Sequence, residues 1–385
     1  MSNPAAAASP VASLWAAGAI FLCAEAGGYL MPLLLESVSR TYGIGEAAAG
    51  GVMALQLAAF AVAAVGLSPW VASFSPRRGA LLALGLVIAG NLLSTIQPHP
   101  ALLVGGRLLT GFGEGFAAAV ATASIARTHD PDRAFARVFT AVVLMTLLIF
   151  LVLPTLMAGQ DARRLFAAIA CLPLLALPAV AWLPDQPSGA APARFTAAGG
   201  SLTTAALLLC AALMLYSVAA NAYWVYVERI ATHIGMTPAA YGQAFAIGTV
   251  AALAGPVAAE RLGTRFGRLP PLVISCVLVG GGGWLTTHAA TPFLMVCGLS
   301  ISSAAFLFGT PYFLGLAAQV DRSGRIAAAG RGFNAVGSAL APALAGGVLG
   351  LTGAYSSIGW TSLAAAALAL GLVLLCFRRS AASAD

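Results

Sequence analysis

The sequence predicts an all-α membrane protein of twelve spanning helices in two pseudo-symmetric six-helix bundles, and three observations predict it. Hydrophobic residues make up 60% of the 385-residue chain and charged residues only 8%, against roughly a quarter in soluble domains; mean hydropathy is +0.93. A water-exposed surface cannot be built from so few charges. The apolar runs continue for about twenty residues, the length a helix needs to cross hydrocarbon, and lack the alternation of a barrel strand. The runs also fall into two similar halves. Since backbone groups in hydrocarbon must be satisfied within the spanning segment, helices are the element that fits.

Windows of about nineteen residues place spans at 11–35, 47–71, 79–97, 101–126, 134–158, 164–183, 201–227, 239–259, 270–289, 292–319, 327–351 and 355–377. The first run is too long for a cleaved signal and has no basic segment before it, so it is expected to remain as a span. Short breaks separate the others: the turn at Gln97–Pro100 after the third, and the glycine-rich stretch around Gly350 after the eleventh. The longest polar stretch, 185–200 (DQPSGAAPARFTAAGG), lies near mid-chain. It reads as a cytoplasmic linker between an N-terminal bundle over 1–184 and a C-terminal bundle over 201–385.

Charge sets the expected orientation. With both termini inside, thirteen arginines fall in inner loops and the tail and four (Arg40, Arg163, Arg164, Arg229) in outer loops, the positive-inside pattern of an inner-membrane protein with cytoplasmic termini. The net charge of +7 is spread over these short clusters, which argues against a nucleic-acid partner. All six cysteines lie in apolar runs without C-x-x-C spacing, and no cluster has metal-ligand spacing. No metal or other cofactor is therefore expected. The motifs of metalloproteases, serine hydrolases and P-loop enzymes are absent, so an enzyme is not expected either.

The halves carry matching residues. Pro69 to Arg78 aligns with Pro256 to Arg265 at a spacing of 187, Gly111 matches Gly298 at the same spacing, and Pro154 matches Pro342 at 188. Repeats of this kind are the trace of two bundles that rock about a central site.

Chemistry concentrates in a few spans. Arg107-Leu-Leu-Thr-Gly111-Phe-Gly113-Glu114 puts an arginine and a carboxylate seven apart, on one helical face, inside the fourth span. Each costs roughly 2.5–3.5 kcal/mol there unless it pairs or faces water. Glu25 lies near the middle of the first span, and with Glu114 it completes the deeply placed acids, while all four histidines fall in loops or at helix ends. Proton coupling would then rest on Glu25, Arg107 and Glu114. Candidate solute-binding residues are Tyr29, Gln56, Asn91, Gln243, Arg331 and Asn334, with Tyr216, Asn221, Tyr223, Trp224 and Glu228 from the seventh span. Asn221, Trp224 and Glu228 would share one face if that helix is continuous; the aromatic members equally suit an interfacial belt.

Two of these motifs resemble those of the major facilitator superfamily. Glu260-Arg261-Leu-Gly263-Thr-Arg265, after the eighth span, is similar to that family's acidic-Arg-x-Gly-x-Arg loop, and Arg107 to Glu114 resembles its R-x-x-x-G-x-G motif. In the first-half loop, Ser73 stands where the family has aspartate and Pro76 where it has glycine. Helix eleven, Gly337 to Gly347 around Pro342, is similar to the glycine and proline motif that the family's antiporters carry in helix five. The resemblance implies a monomeric secondary transporter that moves a small-molecule solute through the lipid bilayer by alternating access, with protons as coupling partner. It also implies gating by Arg77, Arg78, Glu260, Arg261, Arg265 and Pro342. Export of an amphipathic compound is expected first, since Ala26 occupies the place where the family's anion symporters add a basic residue. The alternatives are uptake of an organic anion, anchored by Arg107 or Arg331, and a membrane receptor that binds without transporting.

Overall fold

The computed structural model describes residues 9–96, 100–157, 161–186 and 200–382. All regular elements among the described residues are helical: α1 (Pro10–Tyr42), α2 (Glu46–Leu67), α3 (Pro76–Leu93), α4 (Pro100–Ala126), α5 (Pro131–Met157), α6 (Ala162–Ala176), α7 (Gly200–Asn221), α8 (Val227–His233), α9 (Pro238–Ala252), α10 (Ala254–Leu262), α11 (Leu269–Thr287), α12 (Pro292–Val320), α13 (Arg325–Thr352) and α14 (Ser356–Ala382). Eleven stretches among the described residues are long and apolar enough to cross a membrane, α9 and α10 supplying one of them together. The 27-residue α5 is the remaining helix of spanning length. Helices thus occupy all twelve expected spans.

Three spans differ from expectation, each for a local reason. The first runs on to Tyr42, so Arg40 sits in the last helical turn, and Gly43 ends the helix in the left-handed conformation (φ 63°) that costs a residue without Cβ little. The seventh stops at Asn221 and continues as a single 3-10 turn, Trp224–Tyr226, before α8. The eighth breaks at Leu253, because Pro256 lacks an N–H and its ring collides with the carbonyl four residues earlier. The linker expected at 185–200 falls largely outside the described residues, as do the side chain of Pro154 and the turn at 97–99.

The helices form two compact units. One holds Met1–His129, Met145–Phe195 and Asp321–Gly332; the other holds Asp130–Leu144, Thr196–Val320 and Phe333–Asp385. In the first, α4 packs against α1, α2 and α3, and α6 against α1 and α3. In the second, α12 packs against α7, α9, α10 and α11, and α14 against α7 and α11. The same pattern is therefore built twice. One close contact has the same design in both: at Gly106 a Cβ would strike Ser94 and the Gly90 carbonyl, and at Gly298 it would strike Thr286 and the Gly282 carbonyl. Gly90, Ser94, Gly106 and Thr110 are followed by Gly282, Thr286, Gly298 and Ser302, each 192 positions later. Gly298 thus corresponds in packing to Gly106, not to the Gly111 that sequence spacing suggested. Small residues here let backbones approach, which is what association in lipid requires.

The α6 N-terminus is capped by Asp161, whose Oδ1 accepts from the backbone N–H groups of Arg163 (2.8 Å) and Arg164 (3.2 Å) while Oδ2 accepts from the Arg163 guanidinium at 2.6 Å. These bonds, that from the Arg163 side chain foremost, hold the Asp161 carboxyl below its ordinary value.

Two predictions follow from this packing and capping. Gly298→Ala should destabilise the purified protein by about 1–3 kcal/mol through overpacking, whereas Gly85→Ala, with open space around its Cβ position, should leave the thermal midpoint in detergent unchanged or slightly raised; equal midpoints for the two would count against the close-packing account. Asp161→Ala should cost about 0.5–2 kcal/mol at neutral pH. Because the folded pKa is depressed, the cap stabilises above the unfolded value and this contribution is lost as pH falls through the folded one. The gap between variant and parent should accordingly narrow on acidification, and a gap independent of pH would refute the assignment.

Candidate functional site

The first unit contains a buried polar chain centred on α4. Arg107, 1% exposed, directs Nε to Ser94 Oγ (3.1 Å), Nη1 to Gln56 Oε1 (3.4 Å), and Nη2 to Asn91 Oδ1 (2.9 Å) and Thr110 Oγ1 (3.1 Å). Its guanidinium lies over the Phe166 ring, 4.1 Å from the centroid. Gln56 continues the chain: its amide oxygen accepts from Arg107 and its Nε2 donates to Glu114 Oε2 at 2.9 Å. Arg107 and Glu114, expected to share one helical face, are thus joined through a neutral amide from α2. Both are buried, so an unpaired charge at either would be costly.

Glycines make the chain possible. At Gly111 and Gly115 a Cβ would strike the backbone carbonyls of Gln56 and Phe60, so α2 lies directly on this face of α4. Gly27 of α1 has Glu114 Oε1 and Gln56 Nε2 where its Cβ would stand. In the second unit, positions 192 residues on from Arg107 and Glu114 are Leu299 and Phe306. There Leu299 is buried in an apolar cluster and packs on Gly248. The polar chain is therefore confined to one of the two copies.

A second ionic element of the same unit joins α1 to the start of α13. Glu25, 9% exposed, receives Arg331 Nε on Oε1 at 3.0 Å and Nη2 on Oε2 at 2.5 Å. The rings of Phe21 and Phe60 lie near this guanidinium, their centroids 5.9 and 5.6 Å from its Cζ. Glu25, expected to cluster with Arg107, thus takes its ion pair from Arg331. Sequence spacing carried no signal for this pair, which closes across 306 positions.

The remaining candidates are dispersed. Tyr216 is fully buried between Phe306 and Phe313 and donates its O–H to the Ala305 carbonyl at 2.7 Å, and Tyr223 is enclosed in the second unit's apolar cluster. Asn221 bonds the Ser217 carbonyl at 2.8 Å. Trp224, half-exposed, leans on Phe245, while Glu228 and Gln243 are exposed. The single face expected for Asn221, Trp224 and Glu228 does not exist, since the helix ends at Asn221. Asn334 is buried on α13. The side chain of Tyr29 lies outside the described residues.

Ionic clusters sit at helix ends. In the second unit, Glu260 accepts from Arg137 Nε at 2.8 Å, and Asp132 takes Arg268 through Nε (3.0 Å) and Nη2 (2.7 Å). Arg261 and Arg265 are exposed. In the first unit, Asp185 accepts from Ser75 at 3.0 Å and lies 3.8 Å from Arg78, which gives the loop after α2 the carboxylate that Ser73 lacks. Arg77 is exposed, its backbone N–H bonded to the Pro184 carbonyl. The Pro342 carbonyl accepts from Tyr226 at 3.4 Å. Asp132, Asp185 and Arg268 were not singled out from sequence, because a carboxylate beside a loop arginine is indistinguishable there from a solvated one. Among the described residues, no group of three or more His, Cys, Asp or Glu could hold a metal ion.

Comparisons with known proteins bear on this arrangement. Residues 14–208 match the profile of the Major Facilitator Superfamily. The uncharacterized MFS-type transporter YbcL of Bacillus subtilis (strain 168) is 25% identical over 152 residues, 39% of each chain, so the match spans well under half of this curated relative. Among solved structures, the proton:xylose symporter XylE superposes with a TM-score of 0.76 at 14% identity, covering 96% of this chain and 95% of its own. The Escherichia coli fucose:proton symporter FucP gives 0.78 at 14%, covering 96% and 99%. The human organic anion transporter MFSD10 gives 0.76 at 18%, covering 94% and 99%. At these identities the likeness is one of fold.

Arg107→Ala should destabilise the protein by about 3–5 kcal/mol, because the Glu114 charge loses its balancing cation. Gln56→Leu, of similar size but unable to link the two, should lower the thermal midpoint while Gln56→Glu raises the pH sensitivity of unfolding. Midpoints equal to the parent for both Gln56 variants would show that the amide link does not hold the chain together.

Proposed function

The chain belongs to the Major Facilitator Superfamily, and from that premise we propose that it is a proton-coupled secondary active transporter that carries a small organic solute across a bacterial inner membrane by alternating access. The observation that carries this reading is the pair of spanning carboxylates, Glu25 and Glu114, each enclosed in one unit with a cationic or amide partner. A buried carboxylate is held ionised by its partner and driven toward the neutral acid by loss of water. A conformational change that opens the partner or admits water can therefore load or release a proton. Arg107 sets the balance at Glu114 through Gln56.

The clusters at helix ends suit a gate. With both termini cytoplasmic, Arg137 with Glu260 and Asp132 with Arg268 lie on the cytoplasmic side, where ion pairs that form in one conformation and part in the other bias the equilibrium. Arg77, Arg78, Arg261 and Arg265 supply positive charge on the same side, and Pro342 interrupts α13. The protein acts as a monomer in the bilayer.

Two readings differ in direction. Export of an amphipathic compound follows from the absence of a basic residue next to the acid of the first span. Uptake of an organic anion with a proton is favoured by one observation: α13 brings Arg331 to that acid.

Purified protein in proteoliposomes, challenged with cationic amphiphiles and small organic acids, should show solute-driven proton movement that Glu25→Gln or Glu114→Gln abolishes. The sign of the pH change separates antiport from symport. Flux without proton movement, with both variants active, would refute proton coupling and leave the carboxylates structural.

A further inference from the structure

Arg107 and Arg331 differ in what their donors do. Arg107 spreads its donors over Ser94, Gln56, Asn91 and Thr110, side chains on three different helices, so a ligand could reach it only by dismantling the packing of the unit. Arg331 instead presents the edge formed by Nε and Nη2 to one carboxylate, that of Glu25. A carboxylate held on that edge can be replaced in kind by another, since planar, two-pronged recognition is what a guanidinium offers. Gly28, one turn along α1 from Glu25, is exposed and has open space where a side chain would stand.

Building on the coupled-transport reading, we propose that Arg331 is the anchor for a monocarboxylate solute with an apolar body, which takes the place of Glu25 on the guanidinium as Glu25 becomes the neutral acid. The charge balance fixes the stoichiometry. Glu25 and Arg331 together are neutral, and an added anion would leave one net negative charge inside the span, which is costly there. One proton bound to a Glu25 oxygen restores neutrality. The hydrogen bonds from Nε and Nη2 pass from Glu25 to the solute carboxylate, no covalent bond other than the new O–H forms, and the proton comes from water. Phe21 and Phe60, whose rings lie near the guanidinium, supply apolar surface for the solute body. Anion and proton would then enter and leave together, one for one and without net charge transfer.

The test is proton uptake on binding, measured with an indicator dye in weakly buffered detergent solution near neutral pH, with benzoate and hexanoate as probes and benzamide as the neutral control. The wild-type protein should take up one proton per carboxylate bound and should not bind benzamide. Glu25→Gln should bind benzoate at least as tightly with no proton uptake, and Arg331→Gln should bind it about tenfold more weakly or worse. Binding to the wild type without proton uptake overturns the displacement. So does a Glu25→Gln variant, folded by thermal midpoint, that binds as poorly as Arg331→Gln. If neither carboxylate binds the wild type while tetraphenylphosphonium drives proton movement in proteoliposomes, the anion assignment fails and coupled transport stands. If no solute moves protons and Glu25→Gln and Glu114→Gln behave as wild type, the underlying reading fails as well.

Discussion

An ionised group inside hydrocarbon must be matched by its neighbours, and the first unit is organised around that requirement. Arg107 is almost completely buried and has five side-chain or ring partners drawn from α2, α3, α4 and α6. Satisfying one guanidinium thus fixes how four helices meet. Gly111 and Gly115 follow from the same constraint, since a longer side chain at either would hold α2 too far away for Gln56 to reach both Arg107 and Glu114. The polar chain and the close glycine contacts are one feature seen from two sides.

Comparison of the two units separates packing from chemistry. Both use the same small-residue contact between their third and fourth spans, Gly90 with Gly106 and Gly282 with Gly298. That contact is therefore a property of the architecture. Arg107 and Glu114 are replaced in the second copy by Leu299, which is buried in an apolar cluster, and Phe306, which stacks on Tyr216. Since the fold is built equally well without the charges, their presence in one copy calls for an explanation other than stability. Replacing buried ion pairs by apolar residues is often neutral or stabilising, which sharpens the point.

Much of this was legible in the sequence, for reasons that differ by element. The spans were visible because a helix in lipid needs about twenty apolar residues and leaves no alternative pattern. Arg107 and Glu114 stood out because charge is so rare in such a run. Where the reading missed, long-range geometry or a local breaker had decided. Nothing in the spacing of Glu25 and Arg331 announces that α13 meets α1, and Gln56 between Arg107 and Glu114 looked like any other polar residue in a span. The break after Asn221 follows no proline or glycine, so the sequence carries no sign that the aromatic residues beyond it lie outside the helix. A spacing of 187 aligns the loops after the second and eighth spans. The contacts between the third and fourth spans of each unit align at 192, because the segments between have different lengths.

Four charges placed deep in the spans of the first unit also add up to a constraint on function. Arg107 and Arg331 carry two positive charges and Glu25 and Glu114 two negative ones, all in the first unit. A set that sums to zero is the cheapest arrangement in a medium that screens poorly. Any event that adds or removes one charge, such as loading a proton or admitting an ion, disturbs this sum and must be offset by another. The two carboxylates are not equivalent in that respect. Glu114 is tied to a neutral amide inside a saturated chain, so a proton there changes the chain without freeing a cation. Glu25 shares its ion pair with an arginine on another helix, so a proton there releases a guanidinium. Of the two, only the second event both neutralises an acid and creates a place for an anion, and that is what a coupled carrier of organic acids would have to do in one step.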